Sequence, residues 1–156
     1  MQKVLTFVKY WLPALLWMTL IFSFSSDRES SQHSSRFFEP IMRWLFPQMP
    51  PTQLEAIHYG FRKCCHLTEY AILALLLWRA IRQPRQGPPR PWLWAEAGLA
   101  LAFVFLYAAS DELHQVFVPS RTGQVSDVLV DTAGGAAGLF LLWSVRRWFQ
   151  KRPTVP

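Results

Sequence analysis

Long, nearly uninterrupted runs of apolar residues dominate the pattern of this chain. The first run, Val4–Phe24, is about long enough to cross ~30 Å of hydrocarbon at about 1.5 Å per helical residue. Three more runs follow, at Cys64–Ile81, Trp92–Ala109 and Val125–Trp143. A soluble domain of this length would instead alternate apolar and polar positions. The pattern therefore predicts an all-α polytopic membrane protein, a bundle of four transmembrane helices near residues 4–24, 62–81, 92–115 and 125–146.

The segment between the first two runs, Ser25–Gly60, has the polar-to-mixed composition of a loop. Inside it, apolar residues recur near helical spacing in the stretch RFFEPIMRWLF, residues 36–46, and prolines at 47, 50 and 51 end the stretch. This pattern predicts a short interfacial helix in the first outer loop. The chain has no internal repeat, and its length predicts a single membrane domain, residues 1–156.

A cleaved signal peptide is the alternative interpretation of the first run, because Ser23 and Ser25 have the small size that a cleavage site requires. The run is long for a signal peptide, however, and Trp11, Pro13 and Trp17 are unusual in one. We therefore expect a retained transmembrane helix.

Composition supports a membrane protein without metal or cofactor. Most of the 8 tryptophans lie at the ends of the apolar runs, where an apolar ring with a polar N–H is favoured. The net charge of +6 does not indicate a nucleic-acid partner, because the basic residues flank membrane helices. The two cysteines, Cys64 and Cys65, are adjacent, and neighbouring cysteines rarely form a disulfide. Two cysteines are also too few for a zinc site.

Basic residues predict the orientation of the bundle. Ten of the 16 lie before or near the start of the first helix, from the end of the second helix to the start of the third, or from the end of the fourth helix onward. Nine of the 10 acids lie on the opposite side, and Glu96 is the exception. Because basic residues favour the cytoplasmic side, we expect a multi-pass protein of the bacterial inner membrane with both termini in the cytoplasm.

Polar residues gather near the predicted outer ends of the last three helices. In the second helix, Lys63, His66 and Tyr70 share one face by their i, i+3, i+7 spacing, and Glu69 borders that face. The third helix ends with polar positions four residues apart and two flanking ones: Tyr107, Asp111 and Gln115, with Glu112 and His114. The fourth begins with Asp127 and Asp131, one turn apart, followed by the pair Gly134 and Gly138, which lets another helix approach closely.

Ionisable groups near hydrocarbon are costly unless they are paired or solvated, so they are candidates for function. The alternative is that paired charges only hold the helices together. His66 is the candidate general acid or base because imidazole titrates near neutral pH, with Glu69, Asp111 and Glu112 as further catalytic candidates. Lys63 and Arg121 have the chemistry to hold a phosphate. The other candidate substrate-binding residues are Tyr70, Gln115, Asp127 and Asp131. One histidine among carboxylates is a weak metal signature, so we expect no metal.

These residues form one spaced pattern: Lys63-x-x-His66-x-x-Glu69-Tyr70, then Asp111-Glu112-x-x-Gln115-x-x-x-Pro119-x-Arg121-x5-Asp127-x3-Asp131-x2-Gly134-x3-Gly138. The pattern, like the Ser-rich start of the first outer loop, resembles the VanZ-like family over about residues 15–145. Where that family often has Asn, this chain has Asp131. The resemblance implies a membrane location and a role in the cell envelope, because the founding member is linked to resistance to the glycopeptide teicoplanin.

Three functions stay open. The first is binding of an anionic lipid or a lipid-linked cell-wall precursor, so that membrane lipids are the expected partners. The second is an enzyme that acts on a phosphate-containing lipid, with His66 as acid or base. The third is a small ion-coupled transporter, although the carboxylates lie at one end of the helices and transporter sites usually lie at mid-depth. For any of them we expect the turn of Lys63 and His66, the segment Glu112–Arg121 and Asp127 to converge.

Cysteine labelling of intact cells tests the predicted orientation. Single-Cys variants at Gln86 and Gly123 should differ, with only residue 123 labelled by an impermeant maleimide, because the basic segments flank the cytoplasmic side. Labelling both positions after permeabilisation controls for reactivity. Labelling of residue 86 from outside would reverse the orientation.

Overall fold

The chain folds into an α-helical bundle, and the computed structural model describes residues 2–26, 30–83, 90–117 and 124–150. In those ranges it forms five helices and no strand: α1 (Gln2–Ser26), α2 (Ser30–Leu45), α3 (Pro51–Arg82), α4 (Trp94–Val116) and α5 (Val125–Gln150). Four candidate spans are long and apolar enough to cross a membrane: Val4–Ser23 in α1, and α3, α4 and α5. The predicted all-α membrane bundle is confirmed.

The segment predicted as a loop is largely helical, which corrects two boundaries. The amphipathic helix α2 begins at Ser30, earlier than residue 36, and α3 begins at Pro51, about three turns before residue 62. Pro51 occupies the start of α3 after an extended Pro50, a position that suits proline because its missing N–H is not needed there. The first turns of α3 are too polar to be part of an apolar run, so the hydrophobic pattern alone does not predict them as helix.

Helix α2 packs against the start of α3 through the aromatic ring of Phe38. The Phe38 ring centroid lies 5.2 Å from that of His58 and 5.2 Å from that of Phe61. On the same helix Ile41 and Trp44 are exposed, Trp44 to 80%. An amphipathic helix with exposed apolar residues beside a membrane bundle fits the predicted interfacial position, which stays a prediction.

Small residues recur in the interior of the bundle, and large apolar residues are exposed on its exterior. Alanines recur among the buried core residues: Ala14, Ala74, Ala97, Ala100 and Ala108. Large exposed apolar residues recur along the outside of α1, α4 and α5, as with Leu16, Phe103, Leu129 and Phe140. Without a hydrophobic drive between helices in lipid, close packing of small residues is what associates them.

Helix α3 contacts the other four helices, and its pairing with α5 is the most extensive in the bundle. Two glycines of α5 make that approach close. A Cβ on Gly134 would lie 2.8 Å from the Cα of Leu67, and one on Gly138 would lie 3.0 Å from the carbonyl oxygen of Ala71. The backbone of α3 therefore occupies the space that side chains at these positions would need.

Helix α1 is joined to the bundle by hydrogen bonds as well as by packing. The indole Nε1 of Trp17 donates to the carbonyl of Glu69 at 2.9 Å, and the hydroxyl of Tyr107 donates to the carbonyl of Met18 at 2.6 Å. Ala14 and Ile21 reach the buried core. These contacts connect α1 to α3 and α4 near the predicted outer ends of those helices.

The opposite end of the bundle is closed by a network around Arg82, which is almost fully buried. Its guanidinium donates to Glu96 Oε2 at 2.6 Å and to the carbonyls of Arg90 and Pro91 at 2.5 and 2.7 Å. Arg90 also pairs with Glu96, at 2.9 Å. Glu96, the only acid predicted at this end, is thus the counter-charge for two arginines, and the network connects α3 to the start of α4.

The glycine contacts predict a sharp contrast between two alanine substitutions. Gly134→Ala should lower the free energy of unfolding by about 1–3 kcal/mol, because the new Cβ meets the α3 backbone. Gly98→Ala, where nothing lies within 4 Å of the new Cβ, should be neutral or slightly stabilising because alanine favours helix. Melting temperatures in detergent compare the two, and equal values would contradict the close α3–α5 contact.

Candidate functional site

The polar residues singled out by the sequence converge at one end of the bundle. We call them the polar cluster: Lys63, His66, Glu69 and Tyr70 of α3, Asp111, Glu112 and Gln115 of α4, and Asp127 and Asp131 of α5. Three helices supply these side chains because α3, α4 and α5 pack against one another. Of the expected convergence, the described residues show the contact of Lys63 with Asp127, the approach of His66 to Asp131, and an electrostatic interaction of Glu112 with Asp127.

Arg121 and Pro119 belong to the α4–α5 connection, which is outside the described residues. The prediction that Arg121 joins the cluster and holds a phosphate therefore stays a prediction.

An ion pair between α3 and α5 forms the outer part of the polar cluster. Lys63 Nζ lies 2.5 Å from Asp127 Oδ1, and the two side chains are 22% and 30% exposed. The ammonium also lies over the ring of Tyr59, 5.3 Å from its centroid. Ser126 Oγ lies 3.3 Å from the same Asp127 oxygen. Lys63 is thus held in place by a carboxylate and a ring, yet part of it stays accessible.

One turn deeper, His66 faces Asp131. The distance from His66 Nδ1 to Asp131 Oδ1 is 3.7 Å, which is longer than a good hydrogen bond. Asp131 is only 2% exposed, whereas His66 is half-buried. The close approach of α5 at Gly134, against Leu67, places these two side chains opposite each other.

Helix α4 contributes three buried polar side chains to the polar cluster: Asp111, Glu112 and Gln115. Gln115 Nε2 donates to Asp111 Oδ2 at 3.1 Å, and the backbone N–H of Gln124 donates to Glu112 Oε2 at 2.9 Å. The second contact connects the end of α4 to the residue just before α5. It orients the Glu112 carboxylate without neutralising it.

Tyr70 and Glu69 lie on the inner side of the cluster. Tyr70 is fully buried, its ring centroid is 6.2 Å from that of Tyr107, and its hydroxyl has no hydrogen-bond partner among the described residues. Glu69 is half-buried and interacts electrostatically with Asp111. Two other polar residues of α4 contact α1. His114 packs against Phe22, and the Tyr107 hydroxyl donates to the carbonyl of Met18.

Negative charge dominates the polar cluster. Its described carboxylates, when ionised, repel one another, and the described cation Lys63 is engaged by Asp127. A histidine beside a buried carboxylate can move a proton, and a lysine at the surface can hold an anion. Within the ranges that the structure describes, no group of three or more His, Cys, Asp or Glu side chains is arranged to hold a metal ion.

Sequence reasoning missed two contributors to this site. The backbone amide of Gln124 carries no signal in the sequence, because only the tertiary path of the chain aims it at Glu112. Ser126 could have been noticed, since it precedes Asp127 at the start of a helix, where short polar residues are frequent.

Of three comparisons with known proteins, the one with family models gave a match. Searches of curated proteins and of solved structures gave no match. The sequence model of the VanZ/LLP1 family matches residues 10–147, which is nearly the whole chain. The matched residues include every member of the polar cluster. With four candidate spans, a cluster of polar residues shared by three helices, and this match, the chain belongs to the VanZ/LLP1 family of membrane proteins.

Proposed function

We propose that this protein binds the anionic phosphate of a lipid or a lipid-linked cell-envelope precursor at the polar cluster. The observation that carries the proposal is the ion pair between Lys63 and Asp127, whose side chains remain partly exposed at the end of the bundle. A phosphate can share the ammonium with Asp127, because lysine has three donors and only one is needed for the pair. In this proposal Arg121 supplies further donors to the phosphate.

The surroundings of the cluster support a ligand that arrives through the membrane. Exposed apolar residues flank the cluster on all three of its helices: Phe61, Leu113, Val116, Val125 and Leu129. A hydrocarbon chain can lie along these residues while its headgroup reaches Lys63. Because contact with the apolar side is lost for a soluble ligand, a lipid-anchored one is favoured.

The distribution of charge supports an outer-leaflet location for this binding. Most basic residues lie at the end of the bundle that holds Arg82, and basic ends favour the cytoplasm. The polar cluster then faces the outside of the inner membrane, where envelope precursors and glycopeptides such as teicoplanin are found. A role in glycopeptide resistance would follow from changing the access or amount of such a precursor.

A second candidate function is an enzyme that acts on a phosphate-containing lipid. It is favoured by one observation, the 3.7 Å approach of His66 to the buried Asp131. Once this contact shortens to hydrogen-bond distance in the ligand complex, the carboxylate would orient the imidazole for proton transfer to or from the ligand. Glu69, Asp111 and Glu112 would then shape the charge around the reacting group. Ion-coupled transport, the third alternative, uses the same carboxylates but requires a path through the bundle.

Removing the ammonium tests the binding function. In native mass spectrometry of the full chain extracted with membrane lipids, Lys63→Gln should lower retained phospholipid by about tenfold, the effect of losing a charged hydrogen bond. The matched control is Lys9→Gln, which removes the same charge at the other end of the bundle and should change retention little. Equal retention in wild type and Lys63→Gln, with both proteins folded, would reject the proposed function.

Substitution of the histidine separates binding from catalysis. If the second candidate holds, His66→Gln should keep the bound lipid but slow its conversion by about a hundredfold or more, because a general acid or base is lost. Products from a radiolabelled lipid pool, separated by chromatography, provide the readout. Absence of conversion by the wild-type protein leaves binding as the function, and ion flux into sealed proteoliposomes would instead indicate transport.

A further inference from the structure

We propose that the polar cluster also binds a primary ammonium group, at the carboxylates of Glu112 and Asp131 beside the hydroxyl of Tyr70. This inference rests on the proposed function and refines it. The ligand would carry a phosphate, which contacts Lys63, and an amine, which enters the buried part of the cluster. The substrate class is thus a membrane-anchored molecule whose headgroup holds both groups.

The first argument is the balance of charge. Glu112 and Asp131 are buried and interact electrostatically with each other. Each of them also interacts electrostatically with Asp127 and Asp111. The cation nearest to them among the described residues, Lys63, is engaged by Asp127. Removing a partner from a buried carboxylate is strongly destabilising, so a buried group of this kind favours a bound cation. A cationic ligand would supply a partner of opposite charge for these two carboxylates.

The second argument is the hydroxyl of Tyr70. It belongs to a side chain with no exposed surface, and it has no hydrogen-bond partner among the described residues. It interacts electrostatically with Asp111, Asp131 and Glu112, so it belongs to the same buried region. A buried hydroxyl without a partner is unfavourable, and a ligand donor that it can accept would remove that cost.

The third argument is the kind of cation that these groups suit. No described group of three or more ligating side chains has the arrangement of a metal site. A primary ammonium instead has three N–H donors spread around one atom. Two carboxylates and a phenolic oxygen on three helices offer three acceptors. The set therefore matches the three donors of a primary ammonium.

The spacing of the two parts of the cluster supports one ligand for both. Asp127, which holds Lys63, and Asp131 are one helical turn apart on α5, a rise of about 5.4 Å. A two-carbon linker between a phosphate and an amine has a similar reach. Two sources carry both a phosphate and a primary amine: an aminophospholipid headgroup, which has this two-carbon linker, and a lipid-linked peptide precursor, whose amine lies farther from its phosphate.

Three lipids with the same phosphate distinguish an ammonium site from simple phosphate binding. The full chain is reconstituted in nanodiscs with phosphatidylethanolamine, phosphatidylcholine or phosphatidylglycerol, and retained lipid is measured by native mass spectrometry. Wild type should retain phosphatidylethanolamine about tenfold more than the other two, because only its ammonium donates hydrogen bonds. Equal retention of phosphatidylethanolamine and phosphatidylcholine would overturn the inference.

Two conservative variants locate the selectivity. Tyr70→Phe and Asp131→Asn keep the side-chain shapes, and each should reduce the preference for phosphatidylethanolamine over phosphatidylcholine severalfold. The matched controls, Tyr10→Phe and Glu55→Gln, alter a buried tyrosine at the other end and an exposed acid of α3, and should keep the preference. A preference that survives both cluster variants would place the ammonium elsewhere and overturn the inference.

Two further arms separate the remaining outcomes. Lys63→Gln should reduce retention of all three lipids. If this variant retains all three as well as wild type does, the proposed function is rejected. If it loses all three but wild type does not prefer phosphatidylethanolamine, only the ammonium site is rejected. Soluble competitors then identify the source. Displacement by phosphoethanolamine supports an aminophospholipid, and displacement by a lysine-containing dipeptide supports a peptide precursor. Displacement of the bound lipid by neither compound would overturn the ammonium site.

Discussion

The close contact between α3 and α5 sets the arrangement on which the other features of the bundle depend. Gly134 and Gly138 remove the side chains that would hold the two backbones apart, so Leu67 and Ala71 of α3 lie directly against α5. Contact at this distance leaves little freedom for the helices to slide or rotate past each other. Asp131 precedes Gly134 by three residues and His66 precedes Leu67 by one, so the same contact aligns the polar side chains of the two helices.

The two ends of the bundle treat buried charge differently. At the end that contains Arg82, the guanidinium, Glu96 and backbone carbonyls satisfy one another within the protein. A complete network of this kind is expected of a structural contact. At the polar cluster, carboxylates outnumber the described cations and the Tyr70 hydroxyl has no described partner. A buried hydroxyl without a described partner, beside several buried carboxylates, is the physical reason for placing the proposed ligand at this end.

Membership of the VanZ/LLP1 family and the apolar exterior place this cluster in a membrane protein, and that setting shapes the proposed chemistry. A headgroup that brings its own hydrocarbon chain can remain associated with the exposed apolar residues around α4 and α5. Its polar part then needs few contacts, provided that they are directional. Lys63 at the outer edge and Asp131 one turn deeper offer two such contacts of opposite charge.

Much of this protein was determined by the sequence itself. The apolar runs predict four spanning helices because crossing hydrocarbon requires length and composition that few other structures have. Helical spacing places Lys63, His66 and Tyr70 on one face, and the pattern from Asp111 to Gly138 indicates the family, since these are local properties of the chain. The sequence pattern did not predict the first turns of α3 as helix, because they are polar and a long apolar run indicates helix only within the membrane.

Only the tertiary structure decided which polar residues became partners. Lys63 could have paired with any of several acids, and the packing of α3 on α5 selected Asp127. His114 and Tyr107 lie among the residues of the cluster in sequence, yet the position of α1 draws them to Phe22 and Met18. The Gln124 amide reaches Glu112 only because the chain turns back there. Such pairings depend on helix rotation and depth, which arise from contacts between distant segments and not from local spacing.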